Sequence, residues 1–272
     1  MSVQQLENLL QQGAVCLVEI LRTQGSAPRG VGAWMAVQGD TLVGTIGGGH
    51  LEWKAMRIAR EHLAQGQRDS MVQRISLGPS LGQCCGGAVE LRWSTLTQAD
   101  AGQLARRLDT AHTPVALFGA GHVGHALVRV LQPLPFAVQW VDSREAMFPA
   151  QPMPQVQYEH SQPVHDAVQH LPAQSSVLVM SFSHAEDLDI VCACLRRQRM
   201  YGDLPFVGLI GSTTKWAVFL KRLAERGFTQ AEIEHITCPI GVVGVPGKEP
   251  EVIAIAVAAQ LLQLRAAQLA PR

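Results

Sequence analysis

Several things are scarce in this sequence, and each scarcity removes a class of protein. No uninterrupted apolar run reaches the roughly 18 residues of a membrane span, and the opening MSVQQLENLL lacks the basic start and apolar core of a signal peptide. The expectation is a cytoplasmic protein without membrane attachment. Neither sign of charge is in excess: 22 basic side chains face 22 acidic ones. The chain therefore has no basis for a nucleic-acid surface. Six cysteines in 272 residues are too few and too scattered for a disulfide framework, and no second C-x-x-C or matched histidine pair supports a zinc finger. Tyrosine occurs only at Tyr158 and Tyr201, so no Ser-Tyr-x-x-x-Lys hydride-transfer set is present. Charged residues make up only 16% against 47% apolar, which excludes disorder and leaves material for two cores.

The pattern of elements changes once along the chain. Up to residue 100, strand and helix signals mix. Residues 14–22 read as a buried strand, and 33–37 and 41–46 flank the hairpin signal Gly39-Asp40. A helix follows from about Leu51 to Ala64, then strands at 70–77 and 88–93. From Thr113 onward, short apolar runs (PVALF, FAVQWV, SSVLVMSF, PFVGLI) alternate with amphipathic stretches, notably 186–198 and 214–226, and a helix over 249–268 closes the chain. That alternation predicts a parallel sheet covered on both faces. The fold class expected is α/β: an N-terminal α+β domain over 1–100 and a C-terminal Rossmann-like, doubly wound parallel sheet over 101–272.

Gly119-Ala-Gly121-His-Val-Gly124 fits G-x-G-x-x-G in the right context, after an apolar strand and before a helix. Gly119 makes the tight turn, Gly121 lets backbone approach a phosphate, and Gly124 permits close helix–sheet packing. The helix start offers unpaired N–H groups to an anion. Asp142 ends the next strand, 18 positions beyond Gly124, where a carboxylate accepts from ribose hydroxyls and repels a 2′-phosphate. A Rossmann fold that keeps its glycines for packing alone is the competing explanation.

Cys84 and Cys85 are adjacent between glycines in GPSLGQCCGG. Neighbouring Cα atoms lie about 3.8 Å apart, short of the roughly 4.4–6.8 Å of ordinary disulfides. Both thiols therefore stay available for a soft metal or sulfur chemistry, or else they are small apolar residues of a turn. Weaker candidates follow. Gly47-Gly48-Gly49 precedes a helix, which makes Gly48 a second possible anion contact, with Glu52 in the first turn. Arg29 and Lys248 are cations in loops, open to phosphate contact. His184, with Asp187 and Asp189, follows a strand on the ligand side of the sheet. Cys192 and Cys194, two apart in a helix, point in different directions and read as core, as do Cys16 and Cys238.

The sequence resembles the XdhC family, the accessory proteins of xanthine dehydrogenase. The resemblance rests on Gly25–Arg29, Gly44–Glu52, Gln83–Gly87, FGAGHVG at 118–124, GLIGSTTKWAVFLKRL at 208–223, CPIG at 238–241 and GKEPEVIAIAVAAQLL at 247–262. It implies a cofactor carrier, not an enzyme. Such a protein binds the molybdenum cofactor (molybdopterin), shelters it while its terminal sulfur is installed, and delivers it to the dehydrogenase, in service of purine catabolism. The partners implied are the molybdenum subunit of xanthine dehydrogenase and a cysteine desulfurase. The family's cysteine pair maps to Cys84 and Cys85, near molybdenum. One departure is visible: the loop matching 181–189, which often carries two histidines, has His184 alone, and a metal site there is in doubt. Physically, the Gly121 helix start would take the terminal phosphate and the cysteine loop would face the metal end. A homodimer is expected, since two-fold dimers are the commonest assembly. The alternative is an NAD-dependent oxidoreductase built on Gly119–Gly124 and Asp142, or a nucleotide held there without turnover.

Overall fold

The computed structural model describes residues 3–77, 87–108 and 112–269. The chain forms two units, Met1–Thr110 and Ala111–Arg272.

In the first unit, α1 (Val3–Gln12) leads into β1 (Val15–Gln24), β2 (Trp34–Gln38) and β3 (Thr41–Gly44). Then come α2 (Gly49–Ala64), β4 (Met71–Ser76), β5 (Ala88–Leu96) and α3 (Ala101–Leu108). The strands form one antiparallel sheet in the order β3-β2-β1-β5-β4. Period-two alternation along β1 explains the layering. Cys16, Val18 and Ile20 point to the face covered by Leu51, Ala55 and Ala59 of α2. Val15 and Leu17 point to the other face, covered by Leu6, Leu9 and Leu10 of α1 and Leu104 and Leu108 of α3. The expected hairpin turns at Gly39, whose φ is +54°. Helix α1 was not among the expected elements, although Val3, Leu6 and Leu10 recur at helical spacing.

The second unit begins with β6 (Thr113–Phe118), α4 (His122–Leu131), β7 (Phe136–Asp142), β8 (Val156–His160) and β9 (Ser176–Val179). It continues with α5 (His184–Tyr201), β10 (Phe206–Leu209), α6 (Thr213–Glu225), α7 (Gln230–Ile233), β11 (Ile236–Thr237) and α8 (Pro250–Leu269). The sheet is parallel, in the order β11-β10-β9-β6-β7-β8. That is the doubly wound order 3-2-1-4-5-6 read from the other edge. One face is packed by α5, α6 and α7 through Val191, Leu195, Phe219, Leu223 and Ile233. The other is packed by α4 and α8 through Leu127, Leu131, Ala254, Val257 and Leu261. The α/β class expected from the sequence holds in both parts.

Helix α8 contains no uninterrupted apolar run of the length of a membrane span, since Gln260 ends the run 252–259. It is long and apolar enough to cross a membrane by length and composition, carrying only Glu251 and Arg265 as charges. Its Ala254, Val257, Ala258 and Leu261 are buried in the sheet's core, while Ile255 and Leu269 on the same helix are exposed. The cysteines outside the pair behave as small apolar residues. Burial raises the thiols of Cys16 and Cys194 to about 12.

Candidate functional site

Chain reversal places the motif loops of the first unit at one end of its sheet. β1 ends at Gln24, opposite Ala88, and Ala88 in turn pairs with Ser76. β2 starts at Trp34 and β3 ends at Gly44 on the same side. The segments 25–33 and 45–48, and the stem residues Leu77 and Gly87, therefore emerge together. Leu77 N–H donates to Gly87 O at 2.7 Å. Glycine is required at this stem, because a Cβ on Gly87 would lie 2.3 Å from Ser26 O. Gly47 approaches Pro28 as closely: its Cβ would lie 2.4 Å from that ring. Cys84 and Cys85 lie outside the described residues, between these stem positions in the sequence.

Two of the weaker candidates change meaning here. Gly48 caps α2, yet its N–H is already taken. Glu52 Oε2 accepts from Gly48 N–H at 3.1 Å, Ile46 N–H at 3.0 Å and Thr45 Oγ1 at 2.5 Å. An internal carboxylate thus sits where the sequence suggested an anion contact, so Glu52 braces the loop and Gly48 does not offer a vacant donor. Arg29 is exposed beside this loop. Beyond Glu52's loop, His50 and the exposed Trp53 pack ring to ring at 5.4 Å.

In the second unit the strand order reverses between β6 and β9, and the loops after both strands frame a crevice at the carboxyl ends. Gly119 has φ +121°, and a Cβ there would stand 2.0 Å from Met180 O. Gly124 is as constrained, with its Cβ position 2.2 Å from Gly119 O. Gly121, the N-cap of α4, is different: its φ is −81° and nothing lies within 4 Å of a Cβ placed there. His122 is exposed at this helix start, whereas His125 Nε2 bonds Met147 O at 2.8 Å. The two histidines therefore do not share a task.

Asp142 is 2% exposed and its carboxylate is fully used. Oδ1 accepts from Arg144 N–H at 2.8 Å and Nε at 2.9 Å; Oδ2 accepts from Ala120 N–H at 2.6 Å and Arg144 Nη2 at 3.1 Å. A carboxylate offers about four lone-pair sites, so a ribose hydroxyl would have to displace Arg144. Asp142 thus ties the glycine turn, through Ala120, to the end of β7, and its acceptor sites are taken by Ala120 and Arg144. Burial works to raise the Asp142 pKa, but the bonds from Arg144 and Ala120 outweigh it and the net shift is downward. A folded pKa below the unfolded one, about 3.9, stabilises at all higher pH and is lost as pH falls through the folded value. The Ala120 amide proton, followed by NMR, should stay shifted from neutral pH to below 4 and move only in stronger acid.

Sequence reasoning missed the residues around Arg144. Its guanidinium lies 4.5 Å from the ring centre of Phe182, which is 65% exposed in the loop after β9. Ser143 Oγ donates to Glu186 Oε1 at 2.7 Å, tying the end of β7 to the first turn of α5. Ser183 caps that helix by accepting from Glu186 N–H. The run Ser-His-Ala-Glu at 183–186 is the S-x-x-E helix-start signature and was the available signal. His184 is exposed and faces Phe219 edge-on. Asp187 is buried, accepting from Ser181 and from Lys215 Nζ at 2.6 Å, and Asp189 pairs with Arg226. The His184 loop thus spends its carboxylates on protein partners, and no group of three or more metal-ligating side chains exists among the described residues. Lys248 is exposed, two residues before α8, and only its backbone N–H is engaged, by Glu249.

Residues 115–261 match the family model described as the XdhC Rossmann domain, and residues 9–75 match that of the XdhC and CoxI family. The YqeB protein of Escherichia coli (strain K12) is 27% identical over 253 residues, 92% of this chain. The chain spans only 43% of that relative's length. A crystal structure titled as a xanthine dehydrogenase of Bacillus halodurans superposes with a TM-score of 0.78, covering 98% of this chain and 97% of the other at 19% identity, a likeness of fold.

Proposed function

The chain belongs to the XdhC family, and from that membership we propose that it serves xanthine dehydrogenase as an accessory protein that binds the molybdenum cofactor, protects it while its sulfur is installed and hands it on without consuming it. Gly121 carries this reading. Gly119 and Gly124 are glycine for packing, since a Cβ at either meets backbone oxygen. Gly121 has an ordinary φ and open space before it, so packing gives no reason for glycine there; close approach of a guest does. The N–H groups of a helix start suit the cofactor's terminal phosphate. In the first unit, Cys84 and Cys85 are the proposed soft groups for the molybdenum end, with Arg29 as an accessory cation; Lys248 plays that part in the second unit.

When bound, the cofactor would supply molybdenum and sulfur chemistry to its client enzyme; this chain holds and shelters it. The molybdenum subunit of the dehydrogenase receives it, and a cysteine desulfurase supplies the sulfur. A cytoplasmic homodimer completes the reading. The oxidoreductase alternative loses its ribose acceptor with Asp142 committed to Arg144, and Tyr158 accepts from Met153 N–H within an aromatic cluster with Trp140 and Phe148.

The test is anaerobic purification from cells that make molybdopterin, followed by oxidation of any bound pterin to its fluorescent form. The wild type should carry it, and the Cys84→Ser/Cys85→Ser protein should carry at least tenfold less. Gly121→Ala should keep its stability within about 1 kcal/mol, the scale of an N-cap change, and lose most of its pterin. A wild type that never captures pterin ends the carrier reading. A Gly121→Ala protein with full occupancy removes the phosphate site from α4.

A further inference from the structure

We infer that the outer face of α8 is a self-pairing surface: two copies of this chain pack their α8 helices antiparallel across a two-fold axis. This gives the homodimer of the proposed function a surface, and rests on that reading in nothing else.

Helix α8 has one face in the core and an apolar face outside it. Ala254, Val257, Ala258 and Leu261 are buried in the cluster that also holds Leu127 and Leu131 of α4. On the outer side Ile255, Leu262 and Leu269 recur every seven residues and are 58%, 38% and 67% exposed. Val252, Ala259 and Ala266 each stand three residues before one of them, the first two half-buried and the third exposed. The six form a seam about 26 Å long, with the alternating steps of three and four by which one helix packs along another. The last turn is barer still. Ala266, Ala267, Gln268 and Leu269 are all exposed, yet the helix continues through them. A final turn without packing in its own unit frays unless something else supports it.

The order of sizes along the seam names the partner. Large and small residues alternate, and under reversal each large side chain meets a smaller one. Turned about an axis between Gln260 and Leu261, the helix sets Leu262 against the partner's Ala259, Ile255 against the partner's Ala266 and Leu269 against the partner's Val252. Bulk then faces room in every layer, as interdigitating cores require, and the two-fold axis makes each contact twice. Parallel pairing in register would face like with like. Alanine on alanine leaves gaps, and Glu251 and Arg265, the only charges on α8, would each meet their own kind. Reversal separates those charges and sets the positive end of each helix beside the negative end of the other. A bilayer surface fits less well. Helices that lie on lipid carry Lys or Arg along their polar face, whereas α8 has Arg265, which donates to Thr113 Oγ1.

The apolar surface continues past the helix. Gly241 N–H donates to Gln260 Oε1 and Val242 N–H to Ala256 O, which lay the preceding segment along α8. Val243 and Val245, both exposed, follow directly. Over two copies about 1,000 Å² of side chain would be covered, where specific interfaces begin.

Sedimentation equilibrium of the full-length chain tests the surface. The wild type should be a dimer at micromolar concentration. Ile255→Glu and Ala266→Lys change exposed positions, so each should keep the wild-type circular dichroism. Each should weaken the dimer by roughly tenfold or more, because a charge enters an apolar contact. Mixed in equal amounts, the two variants should recover most of the wild-type association. Antiparallel pairing sets the introduced glutamate against the introduced lysine and leaves the symmetry-related layer as it was. Variants that dimerise like the wild type, or a mixture that stays dissociated, would overturn this surface and leave a homodimer formed in another way. A wild type monomeric at every concentration removes the homodimer as well. A monomer that sediments with vesicles of equal phosphatidylcholine and phosphatidylglycerol would overturn the inference and assign the face to lipid. Pterin capture is read separately: pairing lost with pterin retained leaves the carrier reading standing.

Discussion

Lys215→Met should destabilise the second unit by about 3–5 kcal/mol, the cost of leaving a buried charge without its partner. Lys215 and Asp187 have side chains 10% and 3% exposed, at the carboxyl end of the sheet, with Nζ 2.6 Å from Oδ2. Lys215 also donates to Ile210 O at 2.7 Å, and Asp187 accepts from the N–H and Oγ of Ser181. Removing the ammonium strands the carboxylate, because water cannot reach it to replace the lost donor. For a unit of this size the loss should lower the midpoint of its thermal transition by roughly 10 °C, read by circular dichroism. Asp187→Asn/Lys215→Met, which leaves no net buried charge, should recover at least half. Cys238 supplies a second readout. Burial raises its thiol and Lys215 partly offsets that, so Lys215→Met should slow its alkylation further. A methionine variant that melts with the wild type would show that the pair is open to solvent in solution.

The parts that were legible in the sequence share a cause. Strands β9 and β10, and β6 from Val115 on, are buried on both faces, which forces continuous apolar runs, and α4 begins at a glycine pattern with little freedom to mean anything else. Period and turn chemistry are local, and local rules read them. Asp142 shows the limit. Its position was right and its task was misread, because the deciding partner, Arg144, is two residues on and belongs to no motif; only the curl of the chain after β7 brings the guanidinium back. Gly48 failed in the same way, through Glu52 four positions later. Phe182 and Glu186 were hidden for the opposite reason: they meet Arg144 and Ser143 across about forty residues of sequence. Glycines, which constrain backbone, announce themselves in sequence. Charged side chains do so only once their partners are known.

Gly119→Ala should be worse than any other single methyl added to this turn, costing about 4 kcal/mol or preventing the second unit from folding. Two penalties act together. At φ +121° a non-glycine residue is strained by about 1–3 kcal/mol. The new Cβ would also stand 2.0 Å from Met180 O and 2.6 Å from its carbonyl carbon, both main-chain atoms of the loop after β9. That loop cannot retreat cheaply, because Met180 N–H donates to Phe118 O and Ile210 N–H to Val179 O, which lock it to the neighbouring strands. Gly124→Ala meets Gly119 O at 2.2 Å with an ordinary helical backbone, so overpacking alone applies, about 1–3 kcal/mol. Urea denaturation followed by tryptophan emission would rank them, since Trp140 Nε1–H donates to Gly119 O and reports on the turn directly. The expected order of loss is Gly119→Ala, then Gly124→Ala, with Gly121→Ala near the wild type. If Gly121→Ala fell beside the other two, its glycine would belong to packing like theirs, and the turn would have no position reserved for a guest.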